Sequence, residues 1–281
     1  MGMRRVPRLP EVTLSEHSGV RYLHLDSPWV QGAMRVGRPR HIELEYVQRM
    51  LAALLWLDLP SLEDPQAVQL GLGAAALTRF AHGELGWRTT AIELNPQVIL
   101  ACRAHFRLPA DGPRLQVVCA DAAQWVARPP RGYTAAVQLL HVDLYDHEAG
   151  APVLDDEVFY ARCRALLAPG GVMAVNLFGR QSSFARSMAR LAAVFGADQL
   201  WSLRATREGN TVVVAGRGVT VPAAPELTAR AATIEARFGD RGLPARKWLR
   251  MVRPWQPPPG EPSTETTDVT DAGGPDPRGM R

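Results

Sequence analysis

Lysine is almost missing from this chain: Lys247 is the only one among 281 residues, and arginine carries nearly all of the basic side. The arginines are spread from end to end, whereas nucleic-acid binding needs basic residues gathered in clusters, so no nucleic-acid partner is expected. Cysteine is scarce as well. Cys102, Cys119 and Cys163 are too few and too scattered for a disulfide framework or a zinc site, and a reducing, cytoplasmic setting fits them. No apolar run approaches the roughly 20 residues that span a membrane. The first ten residues, MGMRRVPRLP, are basic but lack the apolar region of a signal peptide. What remains is ordinary for a globular protein: 46% apolar residues, 21% charged and a net charge of +4. That length and apolar share supply the core of one large domain with a small appendage.

The chain is organised around AVQLGLGAAALTRFAHGELGWRTTAIE, from Ala67 to Glu93. Apolar Val68 and Leu70 lead into Gly71-Leu72-Gly73, a small-residue helical segment covers Ala74 to Ala81, and Thr89 to Ile92 ends on Glu93. A strand, a glycine turn, a helix and a second strand in that order form the crevice in which open α/β sheets hold a nucleotide. The glycines let the backbone approach the ligand, and the acid can hydrogen-bond ribose hydroxyls. Gly71-Leu72-Gly73-Ala74-Ala75-Ala76 also fits the dinucleotide pattern, so by itself it leaves nicotinamide cofactors and S-adenosylmethionine both open.

Ahead of this stretch, period-two alternation in Val12-Thr13-Leu14, Val20 to Leu25 and Trp29-Val30-Gln31 reads as a small antiparallel meander. Leu44, Val47, Leu51, Leu54 and Leu55 keep helical spacing, which predicts an amphipathic helix from Ile42 to Leu57. After it come a helix opened by Asn95-Pro96, a strand from Leu115 to Ala120 ending at Asp121, and a strand from Tyr133 to Val142 ending at Asp143. A helix from Asp155 to Leu167, a strand from Val172 to Phe178 and a helix from Ser183 to Phe195 follow. Such alternation requires a mostly parallel sheet. Leu200 to Ala205 and Thr211 to Ala215 then form a hairpin, so the sheet ends antiparallel. The expected division is a β-meander over 1–40, a Rossmann-like α/β domain over 41–250, and a Pro/Thr/Gly-rich tail over 251–281, too poor in apolar residues to fold.

The chemistry concentrates in His141-Val142-Asp143-Leu144-Tyr145-Asp146. Two carboxylates three residues apart, just past a buried strand, face the edge where open α/β sheets react. An acid there must be solvated, capped or functional, because burying it unpaired is costly. Two acids and a tyrosine suit a cationic amine, which must lose a proton before it can attack. The plainer reading has Asp143 capping a turn and Asp146 in solvated loop. Asp121 stands where it could meet an adenine amino group and also where it would cap the following helix. The carboxylate cluster and the closing hairpin favour an adenosyl-sulfonium ligand over a dinucleotide.

Together these residues resemble the spermidine synthase family, the polyamine aminopropyltransferases. The similarity runs from about Val12 to Arg217, through Leu25-Asp26, Val30-Gln31, Glu45-Tyr46, Leu70-Gly71-Leu72-Gly73, Ala91 to Pro96, Asp121, Asp143 to Asp146 and Leu167 to Gly171. It implies a seven-stranded class I methyltransferase sheet, mostly parallel and ending in an antiparallel hairpin, behind a small β-domain. It further implies aminopropyl transfer from decarboxylated S-adenosylmethionine to an amine such as putrescine, without a metal and commonly in a homodimer. Carried over by position, Gln31, Gly71, Gly73, Glu93 and Asp121 would hold the nucleoside, Asp143 matches the catalytic acid, and Asp146, Tyr46 and Tyr145 would stand around the amine.

Five positions in three stretches depart from the family pattern. Ala74 replaces the aspartate of the Gly-Gly-Gly-Asp-Gly turn, and Ala75 the glycine after it. Tyr46-Val47-Gln48 stands for Tyr-His-Glu, and His147 for a proline. A dication site has thereby lost anionic partners, each worth about 1–3 kcal/mol when desolvated. Methyl transfer from ordinary S-adenosylmethionine and a non-catalytic nucleoside-binding relative are the two alternatives.

Overall fold

The computed structural model describes residues 9–145, 154–178 and 181–256. Three short strands, β1 (Val12–His17), β2 (Val20–Leu25) and β3 (Gly32–Arg35), form an antiparallel sheet of their own. The third lies later than Trp29–Gln31, where alternation alone places it. Leu23 pairs with Gly32 and Tyr22 with Ala33, while the Gln31 N–H donates to the Leu23 carbonyl at 2.8 Å and bends the chain ahead of the strand. The sheet is too small to stand alone. Leu23 and Met34 bury themselves among Leu72, Val98, Cys102 and Phe106 of the main domain. Each contributes about 1.5–3 kcal/mol of apolar burial.

The expected helix from Ile42 to Leu57 is in two parts, α1 (Glu45–Met50) and a tighter 3-10 segment over Leu51–Trp56. All six residues of LAALLW are buried, so no solvent face remains to select the α-helical period. The main sheet follows: β4 (Gln66–Leu70), α2 (Ala76–Gly83), β5 (Arg88–Glu93), α3 (Pro96–His105), β6 (Leu115–Cys119), α4 (Ala122–Ala127) and β7 (Val137–Val142). After the gap come α5 (Glu157–Leu166), β8 (Leu167–Phe178), α6 (Gln181–Phe195), β9 (Leu200–Leu203) and β10 (Asn210–Gly216). The chain continues through α7 (Ala224–Phe238), α8 (Ala245–Trp248) and β11 (Val252–Pro254). The strand order is β11-β9-β10-β8-β7-β4-β5-β6, with β4 to β8 parallel and the last three joined antiparallel.

The sheet therefore has eight strands where seven are expected. Val252–Pro254 pairs with β9, and the Trp255 N–H donates to the Leu200 carbonyl at 2.9 Å, so the segment placed in a tail from 251 begins as sheet. Its proline escaped notice as strand because Pro fits only an edge, and β11 is the edge. Among the described residues no helix is long and apolar enough to cross a membrane.

Connectivity reverses between β4 and β7, so the crevice opens at their carboxyl ends. Leu70 pairs with Val142 there, and the Asp143 N–H donates to the Leu70 carbonyl at 3.0 Å. Glycine lets three backbone segments meet at this point. A Cβ on Gly71 (φ +85°) would collide with the Asp143 carbonyl, and one on Gly73 (φ +51°) would lie 2.8 Å from the Gln31 carbonyl. A Cβ on Gly32 would run into the Ala74 backbone nitrogen. Ala75 is held left-handed at φ +58°, so α2 starts at Ala76 and not at Ala74.

Gly32→Ala should accordingly lose about 1–3 kcal/mol of stability in chemical denaturation, because backbone and not a flexible side chain stands in the way. Gly37→Ala, with open space around its Cβ, is the matched control and should stay within about 0.5 kcal/mol of the parent.

Candidate active site

The crevice is a cavity of about 760 Å³. Gln31, Tyr46, Gly71, Gly73, Glu93, Asp121, Asp143 and Tyr145 all line it, so the fold brings together residues from six separate elements and turns. Asp146 lies outside the described residues, as does His147.

Glu93 ends β5 and ties down the glycine turn. The Leu72 N–H donates to its Oε2 at 2.9 Å and the Asn95 N–H to its Oε1 at 2.8 Å. Burial pushes its carboxyl above the usual range, opposed by these backbone donors. Each oxygen retains a lone pair, the acceptor capacity that a vicinal diol needs. Asn95 caps α3 by accepting from the Gln97 N–H at 3.0 Å. Asp121 does the same for α4, accepting from the Gln124 N–H at 2.9 Å while facing the cavity. Its capping role is thus observed, and its position by the cavity is compatible with the other.

Asp143 sits at the floor, part-buried. Burial raises its carboxyl above that of a normal aspartate, against side-chain hydrogen bonding from Asn176 and from the Tyr46 phenol. Asn176 Nδ2 donates to Asp143 Oδ1 at 3.0 Å. Tyr46 and Tyr145 are in turn held protonated, first by burial and next by the Asp143 charge. The Tyr145 hydroxyl donates to the Asn176 carbonyl at 2.7 Å, and its ring meets Phe178 edge to face at 6.4 Å. His141, two residues before Asp143, is buried in β7 and kept neutral, its pKa lowered to about 3 by burial. It does not line the cavity.

Asn176, Phe178, Glu208 and Asn210 also line the site and were missed from the sequence. Asn176 left one trace: it is the single polar residue in the run Val172 to Phe178. Ala74 and Val47 are buried, and with Tyr46, Gln69 and Asp143 they border an adjoining space of about 20 Å³. Gln48 donates its side-chain amide to the Ile42 carbonyl at 2.8 Å, spending it on the backbone ahead of α1.

The chain is 34% identical over 237 residues to the polyamine aminopropyltransferase of Chromobacterium violaceum, covering 83% of this chain and 87% of that protein. It is 33% identical to the polyamine aminopropyltransferase of Neisseria meningitidis, covering 73% and 76%. This chain belongs to the polyamine aminopropyltransferase family. It is a transferase of that family, and no protein-family model matches it. Among solved structures, a probable spermidine synthase from Corynebacterium glutamicum superposes with a TM-score of 0.66 at 19% identity, over 85% of this chain and 88% of that one. Human methyltransferase-like protein 13 in complex with SAH superposes with a TM-score of 0.61 at 22% identity, over 82% and 99%. The aminopropyltransferase sheet seen here is thus the methyltransferase sheet.

The two donors to Asp143 favour its ionised form, so removing either should raise its pKa further. Asn176→Leu and Tyr46→Phe are each expected to move the acid limb of a kcat/KM profile to higher pH, and the double variant farther than either.

Proposed function

We propose that this protein transfers the aminopropyl group of decarboxylated S-adenosylmethionine to a primary amine, releasing methylthioadenosine. One observation carries the reading. The cavity is lined by six carboxylates, from Glu43, Glu45, Glu93, Asp121, Asp143 and Glu208, and by no Lys, Arg or His among the described residues. This holds in a chain with 32 Lys and Arg. Decarboxylated S-adenosylmethionine and an ammonium acceptor bring only positive charge into such walls. Ordinary S-adenosylmethionine would bring a carboxylate among them. Like charges about 4 Å apart repel by about 4 kcal/mol at an effective dielectric of ~20, which disfavours methyl transfer.

The nucleoside fits the carboxyl ends of β5 and β6, with Glu93 toward the ribose, Asp121 toward the adenine and Gln31 beside them. The acceptor nitrogen lies at Asp143. Its ammonium proton passes to the carboxylate, and the freed lone pair forms a bond to the methylene carbon beside the sulfonium. The carbon–sulfur bond breaks, and sulfur keeps the electron pair as a neutral thioether. Tyr46 and Tyr145 stand around the same nitrogen. The site supplies orientation and exclusion of water, and the sulfonium is itself the leaving group. Among the described residues no group of three or more His, Cys, Asp or Glu side chains could hold a metal ion.

The decisive assay incubates pure protein with decarboxylated S-adenosylmethionine and putrescine and follows methylthioadenosine. Product above background is expected, with none when ordinary S-adenosylmethionine replaces the donor; the reverse preference would sink the proposal. Asp143→Asn should lower kcat about 10²–10⁴-fold, the range for a positioned proton acceptor. Stability should not follow. The Asp143 pKa is higher folded than unfolded, so its contribution is present at low pH and lost as pH rises through the folded value. Above that value, Asp143→Asn is expected to melt no lower than the parent.

A further inference from the structure

The six cavity carboxylates differ in what already holds them. Glu43 receives Nε and an Nη of Arg35 at 3.0 and 2.5 Å. Glu45 is paired with the buried Arg49 at 2.6 Å. Glu93 accepts two backbone N–H groups, and Asp121 caps α4. Two acids are left. Asp143 has only neutral partners, and Glu208 has neither an ion pair nor a hydrogen bond among the described residues.

Glu208 lies in the turn between β9 and β10, and that turn is fixed. The Thr206 N–H donates to the Asn210 carbonyl at 2.8 Å, the Gly209 N–H to the Thr206 carbonyl at 3.2 Å, and the Asn210 N–H to Thr206 Oγ1 at 3.2 Å. Gly209 adopts φ +97°, and a Cβ there would lie 3.2 Å from the Phe178 ring, so the turn rests on that ring. Asn210 Nδ2 donates to Asn176 Oδ1 at 3.2 Å, and Asn176 donates onward to Asp143. The turn bearing Glu208 is thereby tied through two amides to the carboxylate at the floor. The Tyr145 and Phe178 rings supply an aromatic wall in the same cavity.

An anionic floor, an aromatic wall and an anionic rim complement two ammonium groups joined by a methylene chain. We propose that Glu208 sets acceptor specificity, holding the distal ammonium of a diamine while the reacting nitrogen lies at Asp143. This rests on the aminopropyl-transfer reading and names the residue that would separate diamines from monoamines within it. Because Glu208 is solvent-exposed, the discrimination it gives is modest and salt-sensitive.

The test is calorimetric titration of the full chain, with methylthioadenosine present, using putrescine and butylamine, which differ by one ammonium. The parent should bind putrescine about fivefold more tightly, the upper end for an exposed ion pair. Glu208→Gln should erase that preference and leave butylamine unchanged, and Asp143→Asn should weaken both amines. In turnover, Glu208→Gln should raise KM for putrescine with kcat retained. A putrescine preference that survives both Glu208→Gln and Glu208→Ala overturns the assignment of Glu208 and leaves aminopropyl transfer standing. Equal indifference of parent and Asp143→Asn to both amines overturns that transfer reading and the Glu208 assignment together. Melting temperatures of both Glu208 variants should match the parent, since this exposed side chain makes no ion pair or hydrogen bond among the described residues.

Discussion

Everything in the site depends on backbone packing directly against backbone at the end of β4. Gly71 admits the Asp143 carbonyl, Gly73 admits that of Gln31, and Gly32 admits the Ala74 nitrogen. Three segments distant in sequence are thereby registered to within a methyl group: the meander, the first turn of the sheet and the loop after β7. Interiors packed at this density transmit displacement instead of absorbing it. The glycines first suggest a ligand drawn close to the backbone; in the fold they draw the protein's own chain together around the place where a ligand would lie.

On that frame the cavity's charge is arranged in layers. Arg35 and Arg49 neutralise Glu43 and Glu45 from behind, outside the lining, and backbone N–H groups hold Glu93 and Asp121. Asp143 is left with an amide and a phenol, neutral donors that favour its charge without cancelling it. Removal of the anionic side chains that the family pattern leads one to expect at positions 48 and 74 has therefore not made the cavity neutral. Ala74 and Val47 belong to buried apolar packing, and the negative charge sits elsewhere on the walls.

Much of this was legible in order. The strand, glycine turn, helix and strand around Gly71 follow from period and composition. The caps Asn95 and Asp121 follow from residue type at a strand end. The acid after β7 follows from the cost of ending a buried strand on a charge. What was hidden depends on pairing across the sheet. Asn176 is 33 residues from Asp143, and Glu208 joins them only because β10 runs antiparallel to β8, with Asn210 opposite Phe178. A hairpin turn of mixed charge has no local mark that distinguishes a cavity rim from open surface. The 3-10 turns of Leu51–Trp56 were hidden for the opposite reason, since a segment buried on all sides shows no period. β11 escaped because a three-residue edge strand containing proline falls below any pattern.

The near absence of lysine acquires a chemical meaning at the cavity wall. A sulfonium donor is an alkylating agent, and it will react with any nucleophile held against its methylene carbon. No described lining residue is a lysine, a cysteine or a histidine. Cys102, the closest thiol to the glycine turn, donates to the Gly73 carbonyl and is held protonated by burial. The basic residues behind the wall are arginines, whose guanidinium keeps its proton and does not attack carbon. Among the described residues, the wall that such an alkylating agent would face thus presents no amine, thiol or imidazole of its own.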